Sequence, residues 1–87
     1  MYTNNAEIGR DIRTFLIDNF LFGRAEELKD AEPLQGNVID STGTLELVTF
    51  LQDHFGITVE DDDVVPENLE SVNNVVSYVT KKLAQQS

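Results

Sequence analysis

Apolar residues recur at helical spacing in three separate stretches, and no stretch has a second strand to pair with. Ile8, Ile12, Phe15, Leu16 and Phe20 stand three or four apart, with Arg10, Arg13 and Asp18 between them. This predicts an amphipathic helix over about Asn5 to Phe20, with Asn4 or Asn5 as its N-cap and Gly23 as its stop. A second pattern starts near Ser41 and ends at Gly56. Laid out at about 100° per residue, it puts Leu47, Val48, Leu51 and Phe55 on one side and Thr42, Glu46, Thr49 and Asp53 on the other, with Leu45 and Phe50 at the boundary. A third follows Ser71, a good cap. Val72, Val75, Val76, Val79 and Leu83 share one face, with Lys81 and Lys82 expected in the last turns, where cations suit the helix dipole.

Between these patterns the chain has shorter features. Pro66 suits the first turn of a short helix over Pro66 to Leu69. Ile57 and Val59 alternate with polar residues, but the stretch is too short for a strand and reads as a packed loop. From Arg24 to Asp40 the periodicity fails, and Pro33 and Gly36 fall inside this stretch. Leu28, Leu34, Val38 and Ile39 are the apolar pegs that would hold this long loop to a core. The fold class is therefore all-α, a four-helix bundle of three main helices and one short one, with a long loop between the first and second. At 87 residues, the chain is read as a single domain over 1–87.

Charge narrows the function classes. Sixteen acidic residues stand against six basic ones, for a net charge of -10, and no Lys or Arg occurs between Lys29 and Lys81. Such a surface repels nucleic-acid phosphates and anionic lipid headgroups and favours basic protein partners. It also keeps a small protein soluble and monomeric. There is no cysteine, which rules out a disulfide framework, a thiolate nucleophile and a Cys-based metal site. No apolar stretch approaches the length of a signal-peptide core or a membrane span, so a cytoplasmic location without stable membrane insertion is expected.

The candidates for chemistry are few. His54 is the only histidine, with no activated nucleophile beside it in the sequence, and reads as a partly exposed helix residue. Glu60, Asp61, Asp62 and Asp63 form an acidic run that could bind Ca²⁺ or Mg²⁺ weakly. It lacks the alternation and glycine of an EF-hand loop, and a solvated acidic turn is the simpler reading. Asp40-Ser41 can be read in two ways. Both residues are common helix caps. A serine at a helix start also lies beside unpaired N–H groups at the positive end of the dipole, a favourable place for a phosphate ester.

Taken together, the stretches PLQGNVIDSTGTLELVTFLQDHFG and ITVEDDDVVPENLESVNNVVSYVTKKL resemble the acyl carrier proteins of the phosphopantetheine-binding family, over Pro33 to Leu83. The specific part is Gly-x-x-Ile-Asp-Ser, Gly36 to Ser41, followed by the helix Leu45-Glu46-Leu47-Val48. Glu67-Asn68-Leu69 and Ser71-Val72 add to it. The resemblance implies a free-standing, specialised carrier, not an enzyme. It assigns Ser41 as the attachment point of a 4'-phosphopantetheine arm taken from coenzyme A, and Asp40 as the residue that positions the transferase's metal and the phosphate. The arm would hold acyl or aminoacyl groups as thioesters and deliver them to separate enzymes of fatty-acid or secondary-metabolite biosynthesis.

Partners implied are a phosphopantetheinyl transferase, an acyl or aminoacyl ligase and acyltransferases with basic surfaces. They would meet Thr42, Leu45, Glu46, Thr49 and Asp53, with Glu60 to Asp63 beyond. A sequestered acyl chain would enter among Leu47, Phe50, Leu51, Phe55, Val59, Val64, Leu69, Val72 and Tyr78, although plain core packing explains most of these. Thr42 departs from the family's usual Leu or Met after the serine and points to a specialised partner set. The rival reading is a small acidic interaction protein that binds a basic partner or divalent cations and is never modified.

Overall fold

The computed structural model describes residues 5–36 and 38–86. Among these described residues four helices follow in order: α1 (Asn5–Phe20), α2 (Ser41–Phe55), α3 (Pro66–Leu69) and α4 (Val72–Gln86). Among the described residues there is no strand, only an isolated bridge between Gln35 and Ile39. The chain is all-α, as its periodicity predicts, and Ile57 and Val59 lie in a packed loop.

The apolar stripes meet in one core. Ile8, Ile12 and Leu16 of α1, Leu47 and Leu51 of α2, and Val72, Val75 and Val79 of α4 are almost fully buried. Their i, i+4 and i, i+7 spacings give each helix one apolar face, and removing these faces from water is the main drive for assembly. Phe55 and Ile57 close the far end of α2, while Leu69 brings α3 into the same cluster.

α1 runs over Asn5–Phe20, as its periodicity predicts, and the end of α4 differs from expectation. Asn4, one of the two expected caps, lies outside the described residues, and Asn5 is already helical. At the other end α1 stops at Phe20, before Gly23, and the reversal uses two left-handed residues, Phe22 (φ 52°) and Gly23 (φ 85°). The Gly23 N–H bonds back to the Ile17 carbonyl at 3.1 Å. Lys81 and Lys82 do not occupy the last turn of α4, because Ala84 and Gln85, both good helix formers, carry it on to Gln86. Lys82 instead reaches Asp63 at 3.6 Å.

The long loop is pinned down. Leu28, Leu34 and Ile39 are buried and Val38 is half-buried, so all four pegs hold. A short 3₁₀ turn over Ala25–Glu27 lies within the loop. Two main-chain hydrogen bonds tie the loop to the α3–α4 corner: Leu34 N–H to the Glu70 carbonyl at 2.7 Å, and Asn73 N–H to the Asp30 carbonyl at 3.0 Å. Between Leu34 and Ile39 the chain folds on itself. Val38 and Ile39 both donate to the Leu34 carbonyl, and Gly36 (φ 82°) donates to the Ile39 carbonyl. The left-handed turn needed here is one that glycine makes without strain. It delivers the chain to Asp40 in an extended conformation.

Candidate functional site

Asp40 is the N-cap of α2. Its carboxylate accepts the Gly43 N–H at 2.8 Å, and its carbonyl accepts the Thr44 N–H at 2.9 Å. These bonds satisfy two of the first-turn donors and leave the N–H groups of Ser41 and Thr42 at the positive end of the helix. Ser41 is the first helical residue. Its side chain is exposed and makes no hydrogen bond to another described residue.

Two residues that the sequence pattern did not single out hold this end in place. A Cβ on Gly43 would stand 3.0 Å from the Phe20 ring and 3.0 Å from the Ile39 Cβ. A side chain here would force the Phe20 ring or Ile39 to give by a few tenths of an ångström, so glycine suits the close approach of α1 and the loop to the first turn of α2. Thr44 is nearly buried. Its hydroxyl donates to the Asp40 carbonyl at 3.1 Å and accepts from the Gln35 amide. The available signal was Gly43-Thr44 itself: two small residues in the first turn of a helix invite close packing.

The outer face of α2 matches the helical layout. Thr42, Leu45, Glu46, Thr49 and Asp53 are all exposed, and Leu45 is 66% exposed despite being apolar. Beside them, between α1 and α2, runs an open groove of about 630 Å³, with Phe15 and Asn19 on its α1 side. One of its walls is a column of parallel rings. Phe50 stacks on Phe15 (centroids 4.2 Å apart) and on His54 (4.8 Å). His54 lies 3.0 Å from the Asp11 carboxylate through Nε2, which ties α2 to α1. The periodicity placed Phe15 on the apolar stripe of α1 and did not reveal this groove, because a helix-by-helix layout does not show which faces end up side by side.

On the other side of α2 a recess of about 380 Å³ is lined by Pro33, Thr44, Val64, Val65, Pro66 and Leu69, among others. Of the nine residues considered for a sequestered chain, Leu47, Leu51, Phe55, Leu69, Val72 and Tyr78 are buried in the core. Phe50 and Val59 are partly buried against it, and Val64 is exposed. Only Val64 and Leu69 of that set line the recess.

The acidic run does not gather a metal site. Among the described residues no group of three or more His, Asp or Glu side chains comes together to hold an ion. Asp61–Asp63 form a 3₁₀ turn capped reciprocally by Glu60 and Asp63. The Asp63 carboxylate is already engaged. It accepts the Tyr78 hydroxyl at 2.8 Å and the Glu60 N–H at 3.3 Å, with Lys82 nearby. The Tyr78 bond is the main reason its carboxyl titrates below the ordinary value of 3.8. Burial, reinforced by the Asp63 carboxylate, pushes the Tyr78 phenol well above 10.

No family-wide sequence model matches the chain. Individual proteins do. It is 31% identical over 74 residues to an acyl carrier protein of Akkermansia muciniphila, covering 85% of this chain and 90% of that protein. The chain belongs to the acyl carrier protein family. A D-alanyl carrier protein of Streptococcus suis is 30% identical over 66 residues, 76% of this chain and 84% of its own length. An acyl carrier protein of Exiguobacterium sibiricum is 52% identical over a shorter 40 residues, 46% of this chain and 48% of that protein. As an acyl carrier protein the chain is a bearer of groups and not a catalyst. No described helix is long and apolar enough to cross a membrane.

Proposed function

We propose that Ser41 bears a 4'-phosphopantetheine arm on which the protein carries acyl or aminoacyl groups to separate enzymes. The observation that supports this most is the placement of Ser41, exposed and at the head of a helix whose first turn Asp40 caps. The surroundings fit an esterified phosphate. The Ser41 and Thr42 N–H groups lie at the positive helix end, where an anion is favoured.

In the modification, the Ser41 Oγ attacks the phosphorus on the pantetheine side of the coenzyme A pyrophosphate. A new O–P bond forms, the bridging P–O bond breaks, and adenosine 3',5'-bisphosphate leaves. The serine proton passes to a base on the transferase. Asp40 caps the helix through Oδ1, and its Oδ2 would be the oxygen offered to the transferase's metal. The arm supplies a terminal thiol, which a chain without cysteine otherwise lacks. Around it this chain contributes an exposed, acidic α2 face for basic surfaces on a transferase, a ligase and acyltransferases. The protein would act in the cytoplasm as a monomer.

The test is intact mass after incubation with coenzyme A and a broad-specificity phosphopantetheinyl transferase. One phosphopantetheine per chain is expected, and none on Ser41→Ala. An unmodified wild type would overturn the assignment, as would a modified Ala variant.

A further inference from the structure

A chain of methylenes attached through Ser41 has two places to go, the surface or the bundle interior. The way in is the recess of about 380 Å³, whose wall includes Thr44, one turn along α2 from Ser41. Beyond it the interior is full, with Leu47 and Leu51 of α2 and Val72, Val75 and Val79 of α4 almost fully buried. To go further, a chain must part α3 from α4. The only buried side chain of α3 is Leu69, while Val64, Val65 and Pro66 are exposed. Packing alone therefore holds this segment weakly, and polar bonds must supply the rest. Asp63 is their hub. Its carboxylate accepts the Tyr78 hydroxyl at 2.8 Å and has Lys82 at 3.6 Å, both from α4. Its carbonyl accepts the Asn68 amide of α3 at 2.8 Å. Asn74 of α4 adds a bond to the Glu67 carbonyl at 2.8 Å.

We propose that Tyr78, Asp63 and Lys82 form a latch that keeps the bundle interior closed to long acyl chains, so that the cargo is a short acyl or aminoacyl group that stops in the recess. The inference rests on the carrier reading and narrows its cargo. A hydrogen bond to a carboxylate is stronger than one between neutral groups. Parting α3 from α4 would break it and strand the Tyr78 hydroxyl, on a residue only 6% exposed, without an acceptor. A long chain gains apolar contact with each methylene it buries, but here it must also displace side chains from a packed interior. A short group meets neither obstacle. Val64, Val65 and Leu69 offer it apolar contact. Gln35 and Glu70, also in the lining, suit a small group bearing nitrogen or oxygen better than a fatty chain.

The experiment loads the ¹⁵N-labelled chain by means of a broad-specificity phosphopantetheinyl transferase with acetyl-, butanoyl- or octanoyl-coenzyme A, and checks each load by intact mass. Amide shifts are read against the same protein with an empty arm. Acetyl and butanoyl arms should shift Thr44, Val65 and Leu69 and leave Leu51 and Val75 in place. The octanoyl arm should also leave Leu51 and Val75 in place, and its thioester should hydrolyse at the rate of free octanoyl-pantetheine. In Tyr78→Phe, which removes one oxygen, the octanoyl arm should shift Leu51 and Val75, and its thioester should last severalfold longer. Lys82→Met, a milder change, should move both readouts the same way by less.

The inference is overturned if the octanoyl arm shifts the core amides of the wild type, if both variants behave as the wild type does, or if the short arms leave the recess amides unmoved. Octanoyl-pantetheine added free separates this test from the carrier reading. A chain that takes no arm refutes that reading, yet core shifts from the free compound in Tyr78→Phe and not in the wild type would leave the latch standing. A wild type that takes every arm and shifts its core with octanoyl keeps the carrier reading and loses the latch.

Discussion

Tyr78 donates its hydroxyl to the Asp63 carboxylate at 2.8 Å and so joins α4 to the acidic turn. The bond sets a stability window with two edges. The folded-state pKa of Asp63 lies below 3.8, so its contribution is full above that value and is lost as pH falls through the depressed one. The folded-state pKa of Tyr78 lies above its ordinary 10.0, so its contribution is full below 10 and is lost as pH rises beyond it. Unfolding followed across pH should show both declines. Tyr78→Phe should lower the plateau between them and flatten both edges; a variant curve parallel to wild type would show that the bond does not form in solution.

Gly43→Ala should reverse the usual helix rule. Alanine inside a helix normally gains about 0.5–1 kcal/mol over glycine. Here the new Cβ would meet Phe20 and Ile39 at 3.0 Å. Overpacking of this kind costs about 1–3 kcal/mol, or roughly 4–8 °C in Tm for each kcal/mol in a domain of this size. The modification rate at Ser41 should fall too, because relief of the clash pushes the first turn of α2 away from the loop. An unchanged Tm would show that the ring and the loop give way freely.

Asp40 combines two roles that substitution can separate. Asp40→Ala removes the acceptor for the Gly43 N–H and should cost about 0.5–2 kcal/mol. Asp40→Asn keeps a good cap and should recover most of that stability. If the charge serves the transferase, the Asn variant should still be modified slowly. Equal modification of Asn and wild type would reduce Asp40 to a cap alone.

Glu46→Lys with Asp53→Lys should slow loading by a cognate ligase severalfold at low salt, and the deficit should shrink as salt rises. Each exposed pair is worth only about 0.2–1 kcal/mol, so the effect should appear mainly in the association rate. Thr42→Leu, in contrast, should widen acceptance by fatty-acid-type acyltransferases by adding an apolar contact beside Ser41. Loading rates that ignore the double reversal at low salt would move the docking surface elsewhere.

The helices were legible because each carries a stripe of apolar residues and a turn-forming neighbour: Gly56 ends α2, Pro66 opens α3, and Ser71 caps α4 through the Asn74 N–H. The end of α4 was less legible because no residue breaks the helix beyond Leu83, and nothing signalled the left-handed turn that Phe22 makes after α1. Asp40-Ser41 stood out as a local signal. The surroundings of Ser41 did not, because Gly43 against Phe20, and Phe15 against Phe50, are contacts between segments far apart in the chain. A linear pattern can show that a residue is apolar, but not which neighbour it will meet.

The loop that leads to Asp40 hangs from the α3–α4 corner by main-chain atoms, Leu34 N–H on the Glu70 carbonyl and Asn73 N–H on the Asp30 carbonyl. Every amino acid supplies a carbonyl, and all but proline supply the N–H. These two bonds therefore make no demand on the exposed side chains around them, while Leu28, Leu34 and Ile39 remain the apolar pegs on the core. Such a loop can drift in sequence over long descent while the serine it leads to keeps its station, and two carriers can hold that geometry in common at the low identities seen here.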